Sequence, residues 1–312
     1  MALSIHTNYS ALVTQTNLSK TNAALGTNQQ RLGTGFRINS AADDAAGLQI
    51  ATRLSAQSRG MGVAMRNVND ATSMLQTAEG AFNEMTDIAQ RMKDLATQGA
   101  NGTNSNQDLM ALQSEYAELG KELKNIFENT KYAGESLFGS VTTAAMTAGT
   151  ATGKLGLTAG VKFQIGASSS ETLELKMGGD IVTLHNALRD ASDEFTGTAN
   201  AASKGNLVFA TTATPPVYTN NASAMIGKMD DVLDAIGTAR ATLGANINRL
   251  GHTANNLANM KDNTDVATGT IRDANFALES ANMSKNSMLM QSGISMLKQA
   301  GQMPGLVMSL LG

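Results

Sequence analysis

No cysteine and no tryptophan occur in this chain, and only 3 prolines and 3 histidines are spread over its 312 residues. Without cysteine there is no disulfide framework, no thiolate nucleophile and no thiolate metal site. The histidines His6, His185 and His252 are scattered, and none falls in an HExxH or comparable ligand spacing. No phosphate-binding loop of the GxxxxGKS/T form is present, and Gly33-Thr34-Gly35 lacks the preceding strand that a dinucleotide site requires. Aromatic residues make up 4% and charged residues 16%, both low for a globular chain. The formal net charge of −3 argues against electrostatic binding of nucleic acid. No run approaches the length of apolar sequence that spans a bilayer, so no membrane segment is expected. The opening MALSIHTNYSALVTQTNLSK has no basic n-region, continuous apolar h-region or cleavage site, and does not read as a Sec-type signal peptide. No enzyme activity, cofactor or metal is expected from such a chain.

What is present in quantity is methionine, 18 residues, and glycine, 30 residues, beside leucine, isoleucine and alanine. Small and pliant side chains of this kind suit closely packed helices. Their spacing supports that reading. Ala64, Ala71, Ala78, Met85 and Met92 form one row of a heptad pattern, and Val68, Leu75, Phe82, Ala89 and Ala96 form the other. Leu109, Leu112, Tyr116, Leu119, Leu123 and Ile126 continue the 3-4 spacing beyond the breaker Gln98-Gly-Ala-Asn-Gly102. Toward the C-terminus, Ala222, Ile226, Met229, Leu233, Ile236, Arg240, Leu243, Ile247, Leu250, Ala254 and Leu257 form a second long seam, interrupted only by Arg240. Apolar seams of this length need partner helices.

The two ends are different in kind. Leu18, Leu25 and Leu32 recur every seven residues, but the companion positions Asn8, Gln15, Asn22 and Gln29 are polar, which makes a weak seam. The last tract uses Ile271, Ala274, Leu278, Ala281, Ile294 and Leu297 and closes on the uncharged Pro304-Gly-Leu-Val-Met-Ser-Leu-Leu-Gly312, whose apolar surface calls for burial against other subunits. After the first helix, Asn39 or Ser40 can cap a following helix, with Asp43 and Asp44 in its first turn favoured by the dipole. Between the helical tracts, Val161, Phe163 and Ile165 alternate with polar residues, as do Leu173 and Leu175, which predicts a hairpin over about 160–176 turning at Ala167–Ser170. Residues 181–184 begin a third strand or a short helix. Residues 186–221, with Thr-Ala repeats and Pro215-Pro216, read as a short exposed insertion. The fold class expected is mainly α: a long antiparallel helical bundle or coiled coil with its N- and C-termini paired, plus a small β-hairpin subdomain.

These residues carry a resemblance. Leu25 to Leu54, LGTNQQRLGTGFRINSAADDAAGLQIATRL, and Arg66 to Met85, RNVNDATSMLQTAEGAFNEM, resemble the N-terminal signature of bacterial flagellins. The tract from Ile271, IRDANFALESANMSKNSMLMQSGISMLKQAGQMPGLVMSLLG, resembles their C-terminus, and FQIGA from Phe163 resembles a motif of their central hairpin. The resemblance implies a structural subunit that polymerises with copies of itself into the flagellar filament. It implies an inner-tube coiled coil from 1–40 and 272–312, with Leu18, Leu25, Leu32, Leu278, Leu297, Leu306 and Leu310 as its assembly residues. It implies a rod-like spoke domain from 41–185 and 222–271, and a large outer domain reduced to little or nothing. Implied partners are a flagellar export chaperone and the cap and hook-associated proteins, and the implied location is outside the cell after flagellar type III export. The stretch Gln90-Arg91-Met92-Lys93-Asp94-Leu95-Ala96 is similar to the helix motif recognised by the Toll-like receptor for flagellin, which places receptor contacts on Arg91, Leu95 and Glu115. Two rivals stand beside this reading: a hook–filament junction protein of the same superfamily, and an adhesin or enzyme module in the central insertion.

Overall fold

A computed structural model of the chain describes residues 8–140, 153–157, 160–195, 206–210 and 218–311, with the backbone alone described beyond residue 302. Six helices occur among them: α1 (Tyr9–Thr34), α2 (Ala45–Gly99), α3 (Asn106–Asn129), α4 (Gly178–Ala191), α5 (Ala222–Arg272) and α6 (Phe276–Leu311). Three short antiparallel hairpins accompany them: β1–β2 (Lys131–Tyr132 and Glu135–Ser136), β3–β4 (Val161–Gln164 and Thr172–Leu175) and β5–β6 (Val208–Ala210 and Tyr218–Asn220). The chain divides into two compact units, one of Met1–Arg59 with Lys261–Gly312 and one of Gly60–Met260.

The larger unit is built on the heptads of α2. All ten residues of the expected rows, from Ala64 to Ala96, are buried. On α5 one expected row, Ala222 through Leu257 by sevens, is buried as anticipated. The other is displaced by one residue: Met225, Val232, Ala239 and Asn246 are buried, while Ile226, Leu233 and Ile247 pack only along the edge of the core. Arg240 therefore flanks the seam and does not interrupt it, because Ala239 occupies the place facing the core. α3 starts with a capping box in which Ser105 accepts from Asp108 N and the Asp108 carboxylate accepts from Ser105 N at 3.0 Å.

The few aromatic residues converge. Phe82 stacks on Phe138 with centroids 4.8 Å apart, and Phe127 lies against Phe138, Phe195 and the His185 ring. Tyr116 is buried, donates to Ala191 O at 2.8 Å and so ties α3 to the end of α4. Burial pushes its phenol well above the usual range.

The β3–β4 hairpin matches the expected strands, pairing Val161 with Leu175 and Phe163 with Leu173. Asn67 Nδ2 of α2 donates to Gln164 O at 3.1 Å, and a Cβ on Gly60 would come within 2.8 Å of Ala167 Cβ, so the hairpin tip lies directly on the helix. Gly160, with φ +72°, enters the hairpin against Leu175 O, where a side chain has no room. The β1–β2 turn, Ala133-Gly134, has positive φ at both residues, the geometry that suits a two-residue hairpin.

For the middle of the chain one open choice is decided in favour of its helical alternative, and one expectation changes. Residues 181–184 lie inside helix α4, with Ile181, Leu184 and Leu188 buried on one face at helical spacing. The exposed insertion expected from residue 186 does not begin there: Leu188, Ala191, Phe195 and Leu207 are buried in the core, and Leu207 N donates to Gln113 Oε1 of α3. Leu188 and Ala191 continue the helical spacing of α4, whereas Phe195 and Leu207 carry no period, because a 3-10 turn and a strand edge supply one each. The rest of the expected insertion, 196–205 and 211–217 with Pro215-Pro216, lies outside the described residues.

Candidate assembly surface

In the smaller unit α1 and α6 pair in opposite directions. Asn8 Nδ2 donates to Ala300 O at 2.7 Å, a Cβ on Gly293 would stand 3.2 Å from Leu18 Cδ1, and Arg31 Nη1 donates to Glu279 Oε1 at 3.2 Å. As numbers rise on α1 they fall on α6, so these three contacts give both direction and register.

At the base of the pair the connecting segments clasp each other. Gly35, at φ 74°, caps α1 by returning its N–H to Arg31 O. Phe36 then bridges Asp273, Arg37 N donates to Arg272 O at 2.7 Å, and Ala274 N donates to Gly35 O at 2.9 Å. The Arg272 guanidinium lies 4.0 Å above the Phe36 ring. Beyond the clasp, Asp43 accepts from the N–H groups of Ser40 and Asn39, which hold its carboxyl below the usual range. The helix cap is Asp44, whose Oδ1 accepts from Gly47 N at 2.8 Å. The expected roles are thus exchanged: Asn39 and Ser40 belong to a loop closed by Asp43, and neither aspartate lies in the first turn of α2.

The composition of the paired faces is the informative feature. On α1 the better-buried face carries Leu18, Leu25 and Leu32 as expected, but its second row is Thr14, Thr21 and Asn28; Gln15, Asn22 and Gln29 face solvent. On α6 the less exposed face carries Glu279, Met283, Asn286, Met290, Gly293 and Leu297. The seam is therefore mixed, with Thr14, Thr21, Asn28, Glu279, Asn286 and Gly293 set between leucines and methionines. Other large apolar residues point away from it: Phe276, Leu278, Met288 and Met296 are between 59% and 65% exposed, and Tyr9 and Leu12 of α1 are similarly bare. Of the residues singled out from sequence, Leu18, Leu25, Leu32 and Leu297 lie on the seam of the pair and Leu278 on its outer face. The side chains of Leu306 and Leu310 lie outside the described residues.

The other candidate patch is in the larger unit. Arg91 of α2 and Glu115 of α3 are brought together, with Arg91 Nε donating to Glu115 Oε1 at 3.0 Å, and both side chains are about half exposed. Leu95 does not join them on the surface. It is 1% exposed and belongs to the core, because the buried stripe of α2 is wide enough to take in the position before Ala96. The buried stripe of α2, which also takes in Met74, is wider than the two residues in seven of a single seam. The residues that sequence reasoning missed are Asn28, Arg31 and Glu279. One signal was available: Glu279 is the sole acidic residue after Asp273.

Among the described residues no cluster of His, Asp and Glu is placed to hold a metal ion, and no helix is long and apolar enough to cross a membrane. The terminal helix pair thus leaves large apolar residues exposed on its outer faces. Residues 5–143 match the family described as the bacterial flagellin N-terminal helical region, and residues 226–311 match the bacterial flagellin C-terminal helical region. Flagellin A of Vibrio anguillarum is 35% identical, and Flagellin A of Vibrio cholerae 36% identical, each over 378 aligned positions taking in the whole of both chains. A putative flagellar hook-associated protein from Vibrio parahaemolyticus shares the fold, with a TM-score of 0.52 at 18% identity over 74% of this chain and all of that one. The chain belongs to the bacterial flagellin family, a family of structural proteins, and is a structural subunit of the flagellar filament that serves motility.

Proposed function

We propose that the subunit polymerises through its terminal helix pair, α1 with α6, and that this pair forms the inner contacts of the filament. The observation that carries the reading is the bare apolar surface: Phe276, Leu278, Met288 and Met296 of α6 and Tyr9 and Leu12 of α1 face away from a seam in which Leu18, Leu25, Leu32 and Leu297 alternate with polar groups. Each of the exposed side chains, buried against a neighbouring copy, contributes about 1–2 kcal/mol. The seam, with Thr21, Asn28 and Asn286 set among its leucines and methionines, is weaker than a fully apolar one, so the pair gains stability on assembly. A weak terminal pair also suits export of the unfolded chain through the flagellar type III route, with an export chaperone covering the apolar faces until the cap and hook-associated proteins receive them. Deletion of residues 1–35 or 275–312 tests the assignment. Either truncated monomer keeps its helical circular dichroism and fails to extend filament seeds in sedimentation and electron microscopy. Normal filaments from either deletion refute it.

The motif on α2 supports a second contact, with the Toll-like receptor for flagellin. Arg91 and Glu115 form the polar patch such a receptor meets, and Leu95 holds the helix beneath it. Receptor binding by the monomer falls on replacing Arg91 and Glu115 by alanine together; unchanged binding removes the assignment.

A further inference from the structure

The least explained feature of the terminal pair lies in its seam. Glu279 is 6% exposed; one carboxylate oxygen accepts from Arg31, and the other, Oε2, has no hydrogen-bond partner. One turn earlier on α1, Asn28 is 7% exposed and its Nδ2 also lacks a partner, as does Arg31 Nε. A carboxylate, a guanidinium and an amide are therefore held between two helices with three polar atoms unsatisfied.

Such a cluster is a poor source of stability. Desolvation of the two charges offsets their attraction, and each unsatisfied atom carries its own cost. Apolar residues of similar size would hold the helices together at least as well. The cluster is better suited to discrimination, because the remainder of the seam discriminates weakly. In the register of the Leu18–Gly293 and Arg31–Glu279 contacts, Leu18 and Thr21 lie opposite Gly293 and Met290, whose small or pliant groups accept more than one alignment. A slip of one heptad, about 10 Å along the axis, leaves apolar groups against apolar groups but strands the Glu279 carboxylate in the seam without its cation. The clasp at Gly35–Arg37, two backbone hydrogen bonds and the Arg272–Phe36 contact, resists sliding but lies outside both α1 and α6. Arg31 and Glu279 are the first fixed point within the helices themselves.

We infer that the Arg31–Glu279 pair, with Asn28 beside it, is a register lock: it selects the one alignment of α1 on α6 in which their outward apolar residues take fixed relative positions. The inference rests on the reading of this helix pair as the assembly surface, and deepens it. Arg31 and Glu279 are then residues that specify assembly without touching the neighbouring subunit.

The absence of native cysteine makes the register directly measurable. In the full chain, Leu18→Cys with Gly293→Cys reports the alignment of the structure, and Leu18→Cys with Asn286→Cys or Ala300→Cys reports a slip of one heptad. Cross-linking is read on the monomer and on seeded filaments in four backgrounds: Arg31→Glu, Glu279→Arg, both reversals together, and both residues replaced by Met. Either single reversal lowers the native cross-link and raises the critical concentration for seeded growth at least about tenfold. The double reversal restores both. The double Met variant keeps its helicity but distributes cross-links between the native and slipped pairs. Native-only cross-linking by the double Met variant shows that the apolar seam sets the register and overturns the lock, with the assembly surface untouched. Failure of the double reversal to restore the native cross-link overturns it as well. If terminal deletions assemble normally, the assembly reading fails instead, and the cross-linking pattern of the monomer still decides the lock.

Discussion

Replacing Leu95 by alanine separates a core residue from a recognition residue. Leu95 is 1% exposed within the apolar core that α2 shares with α3 and α5. The change removes the branch beyond Cβ, three carbons at about 0.8 kcal/mol each. The surrounding helices close the cavity only in part, which brings the expected cost to about 3 kcal/mol. In a unit of this size, Gly60–Met260, that loss lowers the thermal midpoint by about 6–12 °C. The measurement is thermal and urea unfolding of the full-length monomer followed by circular dichroism, with the m-value checked for constancy. Leu95→Met, which preserves volume, is the control and costs under about 1.5 kcal/mol. If Leu95→Ala unfolds within about 0.5 kcal/mol of the parent, the residue is not in the core and its placement is wrong. If it unfolds early but binds receptor normally when folded, Leu95 acts through stability and not through contact.

Three further outcomes follow from the same structure. Arg91→Ala leaves the unfolding midpoint nearly unchanged, since its ion pair with Glu115 is half exposed and such pairs contribute little; a large drop would show an unrecognised structural role. Ala239→Leu, which overfills a fully buried seam position of α5, costs about 1–3 kcal/mol, whereas Arg240→Leu is tolerated; the reverse order in urea unfolding would restore the alternative seam. Burial of the His185 ring, with the Arg189 charge acting the same way against a hydrogen bond the ring donates to Asn186, holds its imidazole below the usual range. The unfolded chain then binds the extra proton, so stability is complete above the unfolded value of about 6.5 and declines as pH falls through it. His185→Phe abolishes that component, seen as a smaller difference between urea midpoints at about pH 7.5 and pH 5.5; an unaltered difference would assign the pH dependence to other groups.

The amino-acid sequence alone determines that this is a protein of long partnered helices, and it places the α2 core rows residue by residue. That legibility has a physical source. Over four heptads of α2 the two rows are apolar and most flanking positions are not, so one helix face is the only one that can be buried. The β3–β4 hairpin was legible for the same reason, since a period of two admits a single inward face. The packed residues Phe195 and Leu207 were not legible, because no repeating element carries them.

Only the tertiary structure decided which flank of a wide stripe faces inward. On α5, Ile226 and Leu233 are as apolar as Met225 and Val232, and the choice between them depends on where the other helices lie. The same one-residue choice exchanged Asn22 for Thr21 on α1. At α6 the difference goes further. Sequence patterning assigns the largest apolar residues to the interface a helix needs most, and Leu278, Ile294 and their neighbours satisfy that rule; within one chain they nevertheless remain exposed, while Glu279, Asn286 and Gly293 occupy the seam. A hydrophobic pattern states that a surface must be buried, not which molecule buries it. In this chain the exposed apolar residues at the termini are left for another molecule to cover, and the seam the chain makes with itself mixes leucines and methionines with Thr21, Asn28, Glu279 and Asn286.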